Sequence, residues 1–242
     1  MKLEVKLNLK IETALMIAGG EMSSRLGIDK ATIKNKNGNL IIPASSIKGK
    51  LRDECQRILL GLYTSTFVCK PPKAENMCPQ PYIKGGTEIE TCEICKIFGS
   101  PWKVSPLFFS DLIFSGREFD DENKKPQNTT VKIGVAIDRY THTAKDKSLY
   151  YLETSPQGYE TDFSNNICIK GEIESEKYAA LLYVGIQSLF NIGGSKSVGL
   201  GWIGGDKIRE FTLTKADGTK LNFCEPSIKQ EVKKWLQELR SN

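Results

Sequence analysis

Apolar and polar side chains alternate without a break from Lys2 to Glu12. Leu3, Val5, Leu7, Leu9 and Ile11 fall on one side, and Lys2, Glu4, Lys6, Asn8, Lys10 and Glu12 on the other. Successive side chains of a strand point to opposite faces, so this stretch predicts a strand with one covered and one open face. Such a strand needs an apolar layer to cover it. Three segments at helical spacing can supply one. Ala44-Ser45-Ser46 opens a helix with Ile47, Leu51, Cys55, Ile58, Leu59 and Leu62 along one stripe. Ser175 caps a second, running to Phe190, with Tyr178, Leu182, Ile186 and Leu189 aligned. Ser227 and Gln230 have capping-box spacing before Ile228, Val232, Trp235, Leu236 and Leu239.

Further strands are expected at 40–43, 107–114, 167–173 and 207–214. Residues 18–38 read as polar loop. Two stretches break the pattern. Residues 63–103 lose periodicity and carry prolines and cysteines. Residues 115–165 are polar, with strand-like pieces near 130–137 and 148–153, and read as a projecting insertion. The order of strands and helices predicts an α+β fold with a ferredoxin-like core carrying large insertions. At 242 residues, one large domain accommodates it.

Hydrophobic content of 39% and charged content of 26% describe a globular chain. No run of about 18 apolar residues is present to span a membrane. Met1-Lys2-Leu3-Glu4-Val5 has no apolar secretory core, so a cytoplasmic location is expected. The net charge of +5 is compatible with a nucleic-acid partner without requiring one. Seven cysteines in a reducing compartment argue against a disulfide framework.

Four of those cysteines are clustered. Cys69, Cys78, Cys92 and Cys95 follow the pattern C-x8-C-x13-C-x2-C. The Cys92-Glu93-Ile94-Cys95 pair lets two thiolates converge on one ion. Four thiolates close a tetrahedral Zn²⁺ site with no position left for catalysis. The surrounding prolines and glycines cannot build a core, so a structural metal would supply folding free energy there. Cys55 and Cys168 read as core residues; Cys224 has no further reading.

Two segments have the chemistry of anion binding. Pro43-Ala44-Ser45-Ser46-Ile47-Lys48-Gly49-Lys50-Leu51-Arg52 places hydroxyls and basic side chains at a helix start, where free N–H groups favour phosphate. Gly49 inside a helix costs about 1 kcal/mol relative to alanine, which close backbone approach would explain. Downstream, Gly193-Gly194-Ser195-Lys196-Ser197-Val198-Gly199-Leu200-Gly201 combines donors with glycines that let backbone N–H groups approach a ligand. It lacks the P-loop pattern. A helix end followed by a glycine turn is the simpler structural reading.

Taken in order, I-P-A-S-S-I-K-G-K-L-R, C-E-I-C-K-I-F-G-S, I-D-R-Y-T-H-T-A and G-G-S-K-S-V-G-L-G-W resemble the signature of the repeat-associated mysterious protein (RAMP) superfamily. The nearest likeness is to the repeated backbone subunit of type III CRISPR effector complexes, which serve antiviral defence. It runs from Lys2 to about Phe211 and leaves out the helix at 227–240. It implies an RRM-like core in a single RAMP domain over 1–242, with a zinc-binding lid at 63–103 and a β-hairpin thumb at 115–165. It also implies a guide RNA, a single-stranded target RNA and neighbouring backbone subunits as partners. Gly27-Ile28-Asp29-Lys30-Ala31-Thr32-Ile33-Lys34-Asn35 matches the family's cleaving loop, which places Asp29 at the cleaving aspartate. Lys30-Ala31 stands where the family has a small residue and proline, and Asn35 where aspartate is common.

The chemistry implied is attack of a ribose 2′-OH on its adjacent phosphorus, leaving a 2′,3′-cyclic phosphate. Asp29 would hold Mg²⁺ or Mn²⁺ or accept the hydroxyl proton. Ser45, Ser46, Lys48, Lys50, Arg52, Gly193, Gly194, Ser195, Lys196 and Ser197 would grip guide phosphates. Arg139 and His142, the single histidine, would meet bases or phosphate from the thumb. Three other readings stay open: an architectural backbone subunit that binds guide without cutting, a guide-processing endoribonuclease, and a zinc-stabilised protein-interaction module without RNA.

Overall fold

The computed structural model describes residues 1–19, 27–62, 68, 69, 73, 77, 78, 91–114, 129–156, 161–164 and 168–239. Most of the expected lid, and residues 115–128 at the start of the expected thumb, lie outside them.

The alternating segment forms β1 (Lys2–Ile11), and its five apolar side chains are fully buried. Along its first half β1 pairs antiparallel with β10 (Ile208–Thr214) on one edge and β8 (Ile169–Glu172) on the other. β8 carries β3 (Leu107–Phe109), and β10 carries β11 (Lys220–Asn222). The sheet therefore runs β11-β10-β1-β8-β3. Along its second half β1 pairs with β7 (Thr161–Ser164) and β9 (Ile203–Gly204). β7 continues through β4 (Leu112–Phe114) to β2 (Ile41–Ile42). The fold is mixed α+β with antiparallel sheets.

Two helices cover the buried face, α1 (Ala44–Leu62) and α3 (Glu176–Gln187), which pack on each other and on β3 and β10. On α1 the stripe Ile47, Leu51, Cys55 and Leu59 is fully buried, while Leu62 at its end is exposed. Each such side chain contributes about 1.5–3 kcal/mol through burial. The helices cross closely at Gly185, where a Cβ would lie 2.5 Å from the Cys55 sulfur. Cys168 is buried as expected, and Cys224 is exposed. Ser175 caps α3, its side chain accepting from the Lys177 N–H. A short α2 (Glu93–Phe98) and a terminal α4 (Lys229–Glu238) complete the helices. Trp235 of α4 joins Phe223 and Phe211 in a cluster of tilted aromatic rings.

Several expectations need correction. The apolar run 107–114 is two strands, because Ser110 and Asp111 turn between them; the Ser110 N–H donates to the Cys168 carbonyl. The Asp111 carboxylate accepts the first N–H of α1, from Ala44 at 2.8 Å. The Ser227 capping box does not form. Ser227 lies in a 3-10 turn over Pro226–Ile228, and no side chain caps α4. β7, inside the expected insertion, belongs to the main sheet. What stands apart is a two-stranded ribbon, β5 (Thr130–Ile137) with β6 (Ala144–Thr154). No helix among the described residues is long and apolar enough to cross a membrane.

Candidate functional site

The four cysteine sulfurs converge within 4.8 Å of one another, and all four residues are buried. The Cys69 and Cys95 sulfurs are 3.2 Å apart, and those of Cys92 and Cys69 3.7 Å. Four sulfurs at about 2.3 Å from one zinc form a tetrahedron with edges of roughly 3.8 Å, so this cluster has the size of a closed four-thiolate site. Cys92 and Cys95 sit at the start of α2, which the C-x2-C spacing brings onto one side. A hydrogen bond from Cys95 holds the Cys92 thiol down at about 5, and donating it pushes Cys95 up. Burial pushes Cys78 up to about 12. Without a cation the cluster shares its protons; a metal would displace all of them.

Arg52, one of the residues expected to grip phosphate, is turned toward the cysteine cluster. Its guanidinium donates to the Gly99 carbonyl at 2.7 Å and to the Cys95 sulfur at 3.1 Å. Lys50 is also committed, with its ammonium 2.7 Å from the buried Glu54 carboxylate. Lys48 lies over the Phe109 ring at 5.7 Å, and burial, with Arg52 nearby, lowers its pKa. Gly49 has open space where a Cβ would go, so close approach of protein backbone does not account for it.

The glycine loop follows α3 and is held by its backbone. Gly194 N–H donates to the Met16 carbonyl and Gly201 N–H to the Ala14 carbonyl. Gly193 (φ 89°) and Gly201 (φ 71°) adopt left-handed conformations. A Cβ at Gly193 would lie 2.5 Å from the Met16 carbonyl oxygen, and one at Gly201 would overlap the Ile192 carbonyl, so only glycine fits. Among the described residues, the N–H groups of Ser195, Lys196 and Ser197 meet no acceptor.

A cleft lies on each side of this loop. One, of about 410 Å³, runs between it and α1, lined by Gly193, Gly194, Lys196, Ser46, Lys50 and Asp53 among others. Ser45 is exposed at the same helix start. The second, of about 350 Å³, runs between the loop and the ribbon, lined by Asp29, Lys30, Tyr150, Leu152, Ser195 and Ser197 with Val198. The structure thus brings Asp29 to the glycine loop, two segments far apart in sequence. Asp29 Oδ2 accepts the Tyr151 N–H at 2.6 Å, and its own N–H donates to the Tyr151 carbonyl. It is the single carboxylate lining this cleft among the described residues.

The sequence analysis missed the scaffold beneath Asp29. The buried Glu153 carboxylate accepts from Lys34 Nζ at 2.7 Å, Thr129 Oγ1 at 2.8 Å and Thr32 N at 3.1 Å. It ties the 29–34 segment to the base of the ribbon. A charged residue at the end of an alternating strand was the sole signal. Arg139 and His142 are exposed at the ribbon tip, where Asp138 accepts the N–H groups of Tyr140 and Thr141. At ~3.3 Å per strand residue, the tip is on the order of 25 Å from Asp29, so the structure does not join them into one site.

Residues 8–203 match the RAMP superfamily. The chain is 26% identical over 222 residues to the CRISPR system Cms endoribonuclease Csm3 of Streptococcus thermophilus, covering 88% of this chain and 90% of that protein. It is 27% identical over 217 residues to the protein of the same name in Methanocaldococcus jannaschii, covering 85% and 77%. With most of its length matched in this way, the chain belongs to the RAMP superfamily.

Proposed function

We propose that the chain is a guide-RNA-binding backbone subunit of a type III CRISPR effector complex, acting in the cytoplasm, and that it cleaves complementary target RNA. The observation that carries the reading is the cleft that sets Asp29 against the donor-rich loop Ser195–Ser197. It is supported by the two relatives, both named endoribonucleases. The β-α-β-β-α-β order of β1, α1, β3, β8, α3 and β10 supports a ferredoxin-like core. The cysteine cluster fits a zinc-bound lid, and the β5–β6 ribbon fits a thumb that splays a target nucleotide out of its duplex.

In this reading the N–H groups and hydroxyls of Ser195 and Ser197, with no acceptor for those N–H groups among the described residues, bind phosphate oxygens, and Lys30 adds a cation. Asp29, oriented by the Tyr151 N–H through one oxygen, presents the other to the ribose. The 2′-oxygen forms a bond to phosphorus as its proton passes to Asp29 or to water, the bond to the 5′-oxygen breaks, and that oxygen takes a proton from water. A cyclic phosphate and a 5′-hydroxyl result. A lone carboxylate beside substrate phosphates is a donor set suited to Mg²⁺ or Mn²⁺, which would neutralise charge developing on the phosphate.

The test is target cutting by an assembled complex with Asp29→Ala and Asp29→Asn subunits in Mg²⁺ or Mn²⁺. Both variants should lose at least about 100-fold in cutting, the usual scale for one proton-transfer group, while target binding stays within about twofold. Asparagine can keep the bond from Tyr151 but has no charge. The Tyr151 contact itself favours a second reading, in which Asp29 only fastens the loop of an architectural subunit. Normal cutting by Asp29→Asn would leave Asp29 as a fastener of its loop and put the cutting group elsewhere in the complex.

A further inference from the structure

We infer that Arg52 is the charge-balancing latch of the cysteine metal centre, holding α1 to the metal-bound segment, rather than a phosphate ligand. The inference rests on the zinc reading of the cluster. Its first ground is geometric. One guanidinium reaches the Gly99 carbonyl at 2.7 Å, the Cys95 sulfur at 3.1 Å and the Cys69 sulfur at 3.9 Å. Its Nε is buried and meets no acceptor among the described residues. The side chain is turned toward the sulfurs, not toward either cleft.

The second ground is charge. Thiols that keep their protons are weak acceptors and give a partly buried guanidinium little compensation. Four thiolates around one divalent ion carry a net double negative charge, which a guanidinium offsets. Hydrogen bonds from outside a metal's own ligands orient those ligands and tune its affinity.

The third ground is the shape of the acceptor. Gly99 ends α2 at φ 76°, with its N–H donating to the Cys95 carbonyl. A Cβ there would lie 2.6 Å from Ser105 N and 2.8 Å from the Lys103 carbonyl. Only glycine lets the chain turn so, and the turn directs its carbonyl at Arg52. Arg52 therefore joins α1 to both ends of α2. Because α1 also carries Ser46 and Lys50 into the first cleft, metal occupancy fixes one wall of that cleft.

The experiment measures zinc affinity by chelator competition, the cobalt-substituted spectrum, and the salt dependence of guide-RNA binding. Wild type, Arg52→Met, Arg52→Lys and Lys48→Met are compared. Arg52→Met should keep the four-sulfur cobalt spectrum yet bind zinc about 10–100-fold more weakly. Arg52→Lys should fall between, since an ammonium cannot fork to both acceptors. With zinc saturating, Arg52→Met should leave the salt slope unchanged, whereas Lys48→Met should lower it and leave zinc affinity intact. Equal zinc affinity in wild type and Arg52→Met, or a slope lowered as by Lys48→Met, overturns the latch. Should Arg52→Met fail to fold, Arg52→Lys decides by the same two readouts. If wild type binds neither zinc nor cobalt, the zinc reading has failed, and the latch fails with it.

Discussion

Removing the Glu153 carboxylate should loosen the base of the β5–β6 ribbon and the segment carrying Asp29 while leaving the main sheet intact. Glu153 is 3% exposed and meets three donors, of which the Thr32 N–H is buried with it. In Glu153→Ala that N–H loses its acceptor, which costs about 1–3 kcal/mol. Lys34, with a side chain 18% exposed, can turn partly to water. Its lost pairing therefore adds only about 1 kcal/mol, toward the surface end of the range. The total of about 2–4 kcal/mol is a rise of roughly 30- to 1000-fold in local opening, at 1.4 kcal/mol per tenfold. Glu153→Gln keeps an acceptor for Thr32 and should cost about 1–2 kcal/mol.

Native-state hydrogen exchange reads this directly. The amides of Asp29, which donates to Tyr151, and of residue 153, which donates to Lys30, should exchange faster in Glu153→Ala. Amides of β1 should not change. Burial raises the Glu153 pKa, but hydrogen bonds from Lys34, Thr129 and Thr32 outweigh it, and the net value is depressed. A depressed carboxyl contributes stability that is complete above its unfolded value and is lost as pH falls through the folded one. Protection at these amides should therefore hold at neutral pH and fall in acid for wild type, with Glu153→Gln lacking that step. Unchanged exchange at Asp29 and residue 153 would refute the anchoring role. Equal acceleration in β1 would show that the carboxylate stabilises the whole fold rather than this corner.

Two further outcomes follow from the site. Protein purified under reducing, chelator-free conditions should hold about one zinc per chain, and stripping it should raise exchange around 92–99 before it touches β1; metal-free wild type would refute this. Neutralising Lys48 and Lys196 together should lower the salt slope of guide-RNA binding by about 1.4, at ~0.7 per single-strand phosphate contact, and an unchanged slope would make both lysines solvated surface.

The sequence carried information where a periodicity ran long enough to meet one packed face. β1 and the stripe on α1 are such cases, and the cysteine spacing is another because C-x2-C converges locally on a helix start. It failed where a distant partner decides. Leu107–Phe114 reads as one apolar strand, yet Asp111 leaves the sheet to cap α1, and only the assembled fold brings Ala44 within reach. β9 and β11 are two and three residues long, too short for alternation to register. Arg52 shares its helix face with Lys48 in sequence, and what separates them is Cys95 and Gly99, more than forty residues on. Ser227 has the spacing of a cap, but Pro226 starts a tighter turn first.

The two clefts share more than the glycine loop. The segment Ala14–Ala18 lines the first cleft with Ile17 and Ala18 and bonds to the elements that wall the second, and its successive residues bond in opposite directions. The carbonyls of Ala14 and Met16 accept from Gly201 and Gly194 of the loop. Leu15 exchanges two bonds with Ser155 at the end of the ribbon, its N–H donating to the serine hydroxyl and its carbonyl accepting the Ser155 N–H. Ile17 accepts from the Ile33 N–H, and Ala18 bridges Thr32, in the strand-like stretch that begins at Asp29. All of Ala14, Leu15, Met16 and Ile17 are buried, so water cannot replace these bonds at little cost. A shift of the loop toward a phosphate in the first cleft must therefore be taken up by this spine or passed to the ribbon and Asp29. In the proposed function, grip on one nucleic-acid strand and placement of the carboxylate over another would be mechanically joined through these four buried residues and Ala18.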